Sequence, residues 1–197
     1  MLPSEQKAII EGLLFISETP LKAERIAAVL EIERAEAQRL LYELVADYQS
    51  AVRGFVLAEV AEGFQFRSRP EHAEWYRRLG RQRTFRFSRA ALETLAIVAY
   101  RQPVTRPEIE YLRGVDSGGV LKTLLDKRLV RILGKREIPG RPLLYGTTRE
   151  FLEFFNLRDL TGLPTLKEFS EIAPETLADA TGTMGEAGIA EAGGGNE

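Results

Sequence analysis

With 44% hydrophobic and 28% charged residues among 197, the chain has the composition of a soluble globular protein and the length of one large or two small domains. It has no cysteine and a single histidine, His72, which excludes disulfides, thiolate nucleophiles and a histidine-rich metal site, and we expect no cofactor. The formal net charge is −2 at pH 7. The acidic start does not resemble a signal peptide, and the apolar run 95–100 is too short to span a membrane, so we expect a cytoplasmic protein with no membrane contact.

Periodicity predicts the elements of the first half of the chain. Apolar residues at helical spacing predict helices over residues 4–17, 22–30 and 33–48. The period then changes to two, which predicts short strands near residues 55–57 and 64–66.

Turn and capping signals complete that half. Glu62 and Gly63 are predicted to join the two strands. Ser68 and Glu71 have the spacing of a capping box, with Pro70 in the first turn, and therefore predict a closing helix that starts at Ser68.

The second half repeats this order of elements. A helix over residues 88–101 is apolar nearly all round and is predicted to lie at the centre of a core. Thr105 and Glu108 form a capping box for the next helix, and Asp116 or Ser117 caps the third.

A hairpin and a closing helix end the second half. Strands are predicted over residues 130–133 and 143–145, around a turn at Pro139 and Gly140. Thr147 and Glu150 are predicted to cap the closing helix.

The two halves can be superimposed in sequence with a constant offset of about 83 residues. The matched pairs are Pro20 with Pro103, Leu21 with Val104, Ile26 with Ile109, Val29 with Leu112, and Leu41 with Leu124. Two passes of helix, helix, helix, hairpin and helix predict a mainly α (α+β) protein with two tandem winged-helix domains, each of three helices and a β-hairpin wing.

Charge is distributed unevenly along the chain. Residues 1–80 sum to −3, residues 81–167 to +8 and residues 168–197 to −7. Such asymmetry indicates separate interaction surfaces or nucleic-acid contact.

These patterns also set domain boundaries. We expect an N-terminal winged-helix domain over residues 1–80, a basic linker over 81–87, a C-terminal winged-helix domain over 88–168 and a flexible acidic tail over 169–197. The tail either has a function of its own or is a solvated chain end.

Two motifs in the second half, AYRQPVTRPEIEYLRGV and GRPLLYGTTREFLEFF, combine residues that a generic winged helix would not share. The stretch over residues 88–155, continued by LRDLTGLPTL to about Leu166, closely resembles the bacterial segregation and condensation protein B family. Asn156 stands where that family often has glycine, and asparagine also tolerates a left-handed backbone.

The resemblance implies a non-catalytic subunit of bacterial condensin that acts in chromosome condensation and segregation. Such a subunit is a homodimer that binds the kleisin, segregation and condensation protein A, which in turn bridges the heads of the structural maintenance of chromosomes ATPase. The resemblance also associates the first winged helix with self-pairing and both winged helices with the kleisin.

DNA binding is the role to test against this one, because winged helices commonly place their third helix in the major groove. The third helix of the first half carries more acidic than basic side chains and would repel phosphates. In the second half, Gly118 and Gly119 begin that helix without side chains that could read bases.

Weaker DNA contact remains an alternative, because basic residues cluster around the linker and in the second wing. The linker candidates are Arg81, Arg83, Arg86 and Arg89. The wing cluster is Lys127, Arg128, Arg131, Lys135, Arg136 and Arg141. These cations either track phosphates, as in a transcription regulator or nucleoid protein, or pair with acidic residues.

No catalytic motif is complete. The segment GVDSG places its serine one position too late for a nucleophile elbow, and GGVLKT lacks the glycine that precedes the lysine of a phosphate loop. His72 is expected to be exposed or to cap a helix, so we expect a protein that is not an enzyme.

Protein recognition is the remaining role, and two residue sets are its candidates. Self-pairing is assigned to Ala37, Leu40, Leu44 and Tyr48, which alternatively all belong to the core. Kleisin contact is assigned to Arg101, Arg106, Glu108, Tyr111, Arg113, Arg141 and Tyr145, most of them charged or aromatic as interface hot spots often are. Arg113 and Arg141 alternatively brace the wing.

Overall fold

The structure is a computed structural model that describes residues 2–50, 52–79 and 87–165. By its contacts the chain divides into two compact units, Met1–Gly162 and Leu163–Glu197, and the helices and strands given below belong to the first.

Two predictions fall outside this description. The acidic tail predicted over residues 169–197 lies outside the described residues, and so does all of the predicted linker 81–87 except Phe87.

The first half folds as three helices, a hairpin and a closing helix. In chain order the elements are α1 (Pro3–Ile16), α2 (Ala23–Leu30), α3 (Arg34–Ser50), β1 (Phe55–Val60), β2 (Gly63–Ser68), a 3₁₀ turn (Pro70–His72) and α4 (Ala73–Leu79). The apolar faces of the first three helices pack against the inner face of the hairpin and enclose one core. The fully enclosed members of that core are Ile10, Ile26, Ala37, Leu40 and Leu41.

The hairpin turn lies one residue earlier than predicted. Ala61 and Glu62 form it, both with left-handed backbone (φ 50° and 57°), whereas Gly63 already pairs with Val60 as the first residue of β2. Glycine suits position 63, because a Cβ there would lie 3.0 Å from the backbone carbon of Pro20 and the neighbouring backbone would have to shift.

The second half repeats the architecture with one additional strand. Its elements are α5 (Arg89–Arg101), β3 (Val104–Thr105), α6 (Arg106–Arg113), α7 (Gly118–Asp126), β4 (Val130–Lys135), β5 (Leu143–Thr147) and α8 (Arg149–Phe154). The three strands form an antiparallel sheet in the order β3-β5-β4, with a bulge between Ile132 and Gly134. The two tandem winged helices predicted from the sequence are therefore confirmed.

The offset of 83 residues between the two halves holds for the second helices and is lost after the third. α2 and α6 lie 83 residues apart over their whole length, and Ile26 and Ile109 are both fully buried. Leu41 and Leu124 are also both fully buried, but α3 has 17 residues where α7 has 9. The offset therefore changes before the wings begin.

Two of the four predicted caps are confirmed, and Ser88 provides a further cap that was not predicted. The Ser88 hydroxyl accepts a hydrogen bond from the Ala91 amide at 3.2 Å, and Thr105 with Glu108 forms the expected capping box. At the start of α7 the cap is the Asp116 carboxylate, which accepts from the Gly118 amide at 3.1 Å.

Two predicted caps are wrong, and strand pairing explains both. Ser68 remains in β2 opposite Phe55, so the closing helix of the first half begins only at Ala73. Thr147 is the last residue of β5, and Thr148 caps α8 by accepting from the Phe151 amide at 3.1 Å. Ladder hydrogen bonds formed with distant residues outweigh the local capping signal at both places.

The two halves of the first unit share backbone hydrogen bonds. Directly after α8, the carbonyl oxygens of Leu157 and Arg158 accept from the amides of Ala61 and Glu62, each at 2.9 Å. The Arg158 guanidinium also pairs with Glu59 at 3.2 Å. The turn of the first hairpin is therefore held by the segment that follows the last helix.

Two searches of the described residues set limits on the site. None of the helices in that part of the chain is long and apolar enough to cross a membrane. The same residues bring together no group of three or more histidine, cysteine, aspartate or glutamate side chains that could hold a metal ion.

The repeat makes a matched prediction for the two cores. Leu41→Ala and Leu124→Ala should each lower the free energy of unfolding by about 2–5 kcal/mol, because each leaves a cavity at a fully buried position. Denaturant unfolding followed by circular dichroism measures the change. Val29→Ala, at a side chain 47% exposed, is the control and should cost less than about 1 kcal/mol. A loss in only one of the two leucine variants would contradict equivalent cores.

Candidate partner-binding groove

A groove of about 490 Å³ opens in the second winged helix, where the end of α5, strand β3, helix α6 and the wing meet. Its lining residues are Arg101, Pro103, Val104, Pro107, Glu108, Tyr111, Leu112 and Arg136. Three of them, Arg101, Glu108 and Tyr111, belong to the set predicted to contact a partner. The groove is therefore the place where the structure brings predicted site residues together.

The floor of the groove is apolar because the chain turns there with two prolines. Pro103 follows α5, Val104 is buried in the short strand β3, and Pro107 lies in the first turn of α6. On α6, Leu112 is half exposed and Tyr111 is 87% exposed, so that helix contributes apolar surface to the rim.

Glu108 connects the floor to the wing. One carboxylate oxygen accepts from the Thr105 amide and hydroxyl, both at 2.8 Å, and the other accepts from the Arg136 guanidinium at 2.7 Å. These bonds favour the charged form and lower the pKa of Glu108 to about 2, the Thr105 amide having the largest effect and Arg136 the next. Glu108 was predicted to contact a partner, but its carboxylate is engaged within the chain.

Arg101 and Tyr111 are the predicted residues that remain available. The Arg101 side chain is exposed at the edge of the groove, and within the described parts of the chain its guanidinium has no hydrogen bond or ion pair. Tyr111 presents its ring beside it on the same groove. With Glu108 neutralised by Arg136, the groove combines an apolar floor with one uncompensated positive charge.

The other residues that were predicted to contact the kleisin are bonded to side chains within this chain or are buried. Arg106 forms ion pairs with Glu110, at 2.6 Å, and with Asp116. Arg113 has a side chain only 7% exposed and donates to the Ser117 hydroxyl at 3.0 Å.

The remaining two kleisin candidates lie on the wing. Arg141 pairs with Glu137 at 2.7 Å, and Tyr145 is buried in the middle of the sheet. The alternative was that Arg113 and Arg141 brace the wing. Arg141 does pair within the wing loop, whereas Arg113 contacts Ser117 at the start of α7 and Glu93 on α5 instead.

The residues predicted for self-pairing lie in the core of the first half. Ala37 and Leu40 are fully buried, Leu44 is 2% exposed and Tyr48 is 6% exposed. The alternative that all four are core residues therefore describes their position. Among the apolar side chains that do face outward in this half are Phe15 and Ile16 at the end of α1, and Trp75 and Leu79 on α4.

The linker candidates for nucleic-acid contact are only partly visible. Arg81, Arg83 and Arg86 lie outside the described residues. Arg89 is exposed and donates to Glu93 at 3.0 Å, as an exposed helix pair.

Sequence reasoning assigned the apolar half of the groove to no site. Pro103, Val104 and Leu112 were used as signals of the repeat, and Arg136 was grouped with the basic wing. The strongest signal in the sequence was the capping box, because it fixes Glu108 where a cation of the wing can reach it.

Comparison with known proteins identifies relatives that match most of the chain. The family model described as "Segregation and condensation complex subunit ScpB" matches residues 8–166. "Segregation and condensation protein B" of Syntrophotalea carbinolica is 63% identical over 172 residues, covering 87% of this chain and 87% of that protein. The protein of the same name from Myxococcus xanthus is 53% identical over 86% of this chain and 51% of its own length.

One solved structure is described as a dimer of the ScpB N-terminal domain complexed with ScpA peptide. It is 36% identical and covers 39% of this chain and 96% of its own, with a TM-score of 0.38.

Glu108 gives the groove a pH-dependent stability. Its pKa is lowered from 4.5 to about 2 in the folded chain, so its stabilisation is present above pH 4.5 and is lost as the pH falls toward 2. Glu108→Gln should lower the free energy of unfolding at pH 7 by about 1 kcal/mol, since the carboxylate is partly exposed. The difference from the unsubstituted chain should shrink below pH 4.5 in urea titrations.

Glu137→Gln is the matched control, because it removes the same charge from an exposed pair on the wing. We expect it to change the free energy of unfolding at pH 7 by less than about 0.5 kcal/mol. An equal loss in both variants would show that net charge, rather than the Glu108 contacts, sets the stability.

Proposed function

Because the chain belongs to the family of segregation and condensation complex subunit ScpB, we propose that it is a non-catalytic adaptor of bacterial condensin. It forms a homodimer and binds the kleisin, segregation and condensation protein A. Through the kleisin it reaches the structural maintenance of chromosomes ATPase, in the cytoplasm and at the nucleoid, with DNA contact that is weak or indirect. It thereby serves chromosome condensation and segregation.

The free side chains of the groove are the observation that supports a protein partner. Arg101 and Tyr111 are exposed beside an apolar floor and are not used to hold the fold. Arginine and tyrosine are enriched among the residues that dominate binding energy in protein interfaces. We assign them direct contact with the kleisin, and we assign Glu108 and Arg136 the role of holding the groove open between α6 and the wing.

The division of labour follows the two modules. We assign self-pairing to residues 1–80 and kleisin contact to residues 88–168, with the basic segment 81–87 between them and the acidic segment 169–197 after them. Self-pairing draws on exposed apolar side chains of the first half, because a large apolar patch left in water favours association.

The two partners make a prediction for molecular mass. Light scattering at micromolar concentration should give the mass of two chains for the purified protein and a larger complex after addition of a kleisin fragment. Leu79→Glu tests self-pairing at a side chain that is 89% exposed. We expect this variant to shift the mass toward that of one chain, because a charge on an apolar interface weakens it. A mass of one chain in the absence of partner would contradict the homodimer.

A DNA-binding regulator is the second candidate, and exposed cations favour it. Lys122 and Arg128, at α7, and Lys135, on the wing, are exposed in the structure. Asp126 on the same helix is exposed as well, and α7 begins with two glycines, so base-specific contacts have few side chains to come from.

A salt series separates the two candidates. We expect binding to duplex DNA to be weak and independent of sequence, and to vanish near physiological salt, because no more than a few phosphates would be neutralised. Gel shift or fluorescence anisotropy between about 50 and 200 mM salt measures it. Tight, sequence-dependent binding near physiological salt would favour the regulator instead.

A further inference from the structure

The groove selects its ligand by charge as well as by apolar contact, and this inference rests on the proposed function. We propose that it recognises an acidic–apolar segment of the kleisin, in which an apolar side chain fills the floor and a neighbouring carboxylate pairs with Arg101.

The charge of the groove carries the first step. Both oxygens of Glu108 are engaged, one with Thr105 and one with Arg136. The Arg101 guanidinium has no counter-ion among the described residues, and no second carboxylate lines the groove. A carboxylate brought by the partner would therefore supply the missing charge, and guanidinium binds carboxylate with two parallel hydrogen bonds.

The apolar surface carries the second step. Pro103, Val104, Pro107 and Leu112 line the groove together with Arg101, and Tyr111, which is 87% exposed, adds an aromatic ring to the lining. Phosphate groups of nucleic acid gain nothing from such a floor, whereas a leucine or phenylalanine side chain gains about 25 cal/mol for each Å² of apolar area removed from water. The groove therefore suits a polypeptide better than a nucleic acid.

The repeat carries the third step, because it shows which residues the fold does not need. At the offset of 83 residues, Glu18 and Ala28 of the first half stand where the second half has Arg101 and Tyr111. Three of the four apolar lining positions are kept, since Pro20, Leu21 and Val29 correspond to Pro103, Val104 and Leu112, whereas Glu24 stands where the second half has Pro107. The first winged helix folds without an arginine and a tyrosine at these positions, so the fold does not account for them and we assign them to binding.

Charge reversal in the full-length chain tests the proposal. We expect Arg101→Glu to weaken binding of a kleisin fragment about 10-fold or more, as the loss of a paired charge in an interface does. Tyr111→Ala should weaken it similarly without changing the charge. Lys122→Glu is the matched control, because Lys122 is also an exposed cation of this module but does not line the groove, and it should change the affinity less than about 2-fold.

Peptides identify the chemistry of the ligand. Overlapping 20-residue peptides that cover the kleisin are titrated against the full-length chain by fluorescence anisotropy, each in its native form and with Asp and Glu replaced by Asn and Gln. We expect the binding peptides to carry an acidic residue within four positions of a leucine, isoleucine or phenylalanine. Replacing Asp and Glu by Asn and Gln should lower the affinity of these peptides about 10-fold for the unsubstituted chain and much less for Arg101→Glu.

The outcomes separate this inference from the proposed function. If the kleisin fragment binds the unsubstituted chain and Arg101→Glu equally well, the inference is overturned and the adaptor role remains. If the fragment binds neither, the adaptor role fails and the inference fails with it. If a DNA duplex displaces the bound peptide at physiological salt, the groove is a phosphate site and the inference is overturned. Thermal melts of each variant establish that the substituted chains are folded.

Discussion

The second winged helix depends on one carboxylate that serves two elements. Glu108 closes the first turn of α6 through Thr105, and its other oxygen receives Arg136 from the wing. A helix start needs an acceptor for its free amides, and a wing loop rich in cations needs a counter-ion. One side chain meets both needs, so the position of the wing relative to α6, and with it the width of the groove, follows from a local capping motif.

The duplication shows how a binding surface can be added to a stable scaffold. Both halves keep the same enclosed leucine and isoleucine positions, which set the packing of the helices. They differ at exposed positions such as Glu18 and Arg101, where substitution costs the fold little. The third helix has 17 residues in the first half and 9 in the second. The sheet of the second half also includes strand β3, between α5 and α6, where the first half has only an isolated bridge between Leu21 and Phe64.

Local and periodic signals predicted most of the fold and three of the eight residues that line the groove. Helical spacing located the helices, and the Thr105 capping box was confirmed because all of its hydrogen bonds lie within four residues. The caps predicted at Ser68 and Thr147 are wrong because strands β2 and β5 include these residues. The length of a strand depends on its pairing with residues distant in sequence. Tyr145 was chosen for its aromatic ring, but periodicity alone could not show that β5 is the central strand and buries it.

The hairpin turn at Ala61 and Glu62 has a mechanical consequence. Its two amides bond to consecutive carbonyls after α8, so the halves of the first unit are connected by a short ladder in addition to the covalent chain. Two side chains add to this ladder, since Arg149 donates to the Pro20 carbonyl at 2.7 Å and Arg67 donates to the Glu153 carbonyl at 3.1 Å. A hinge movement of one half against the other would have to break all of these bonds together.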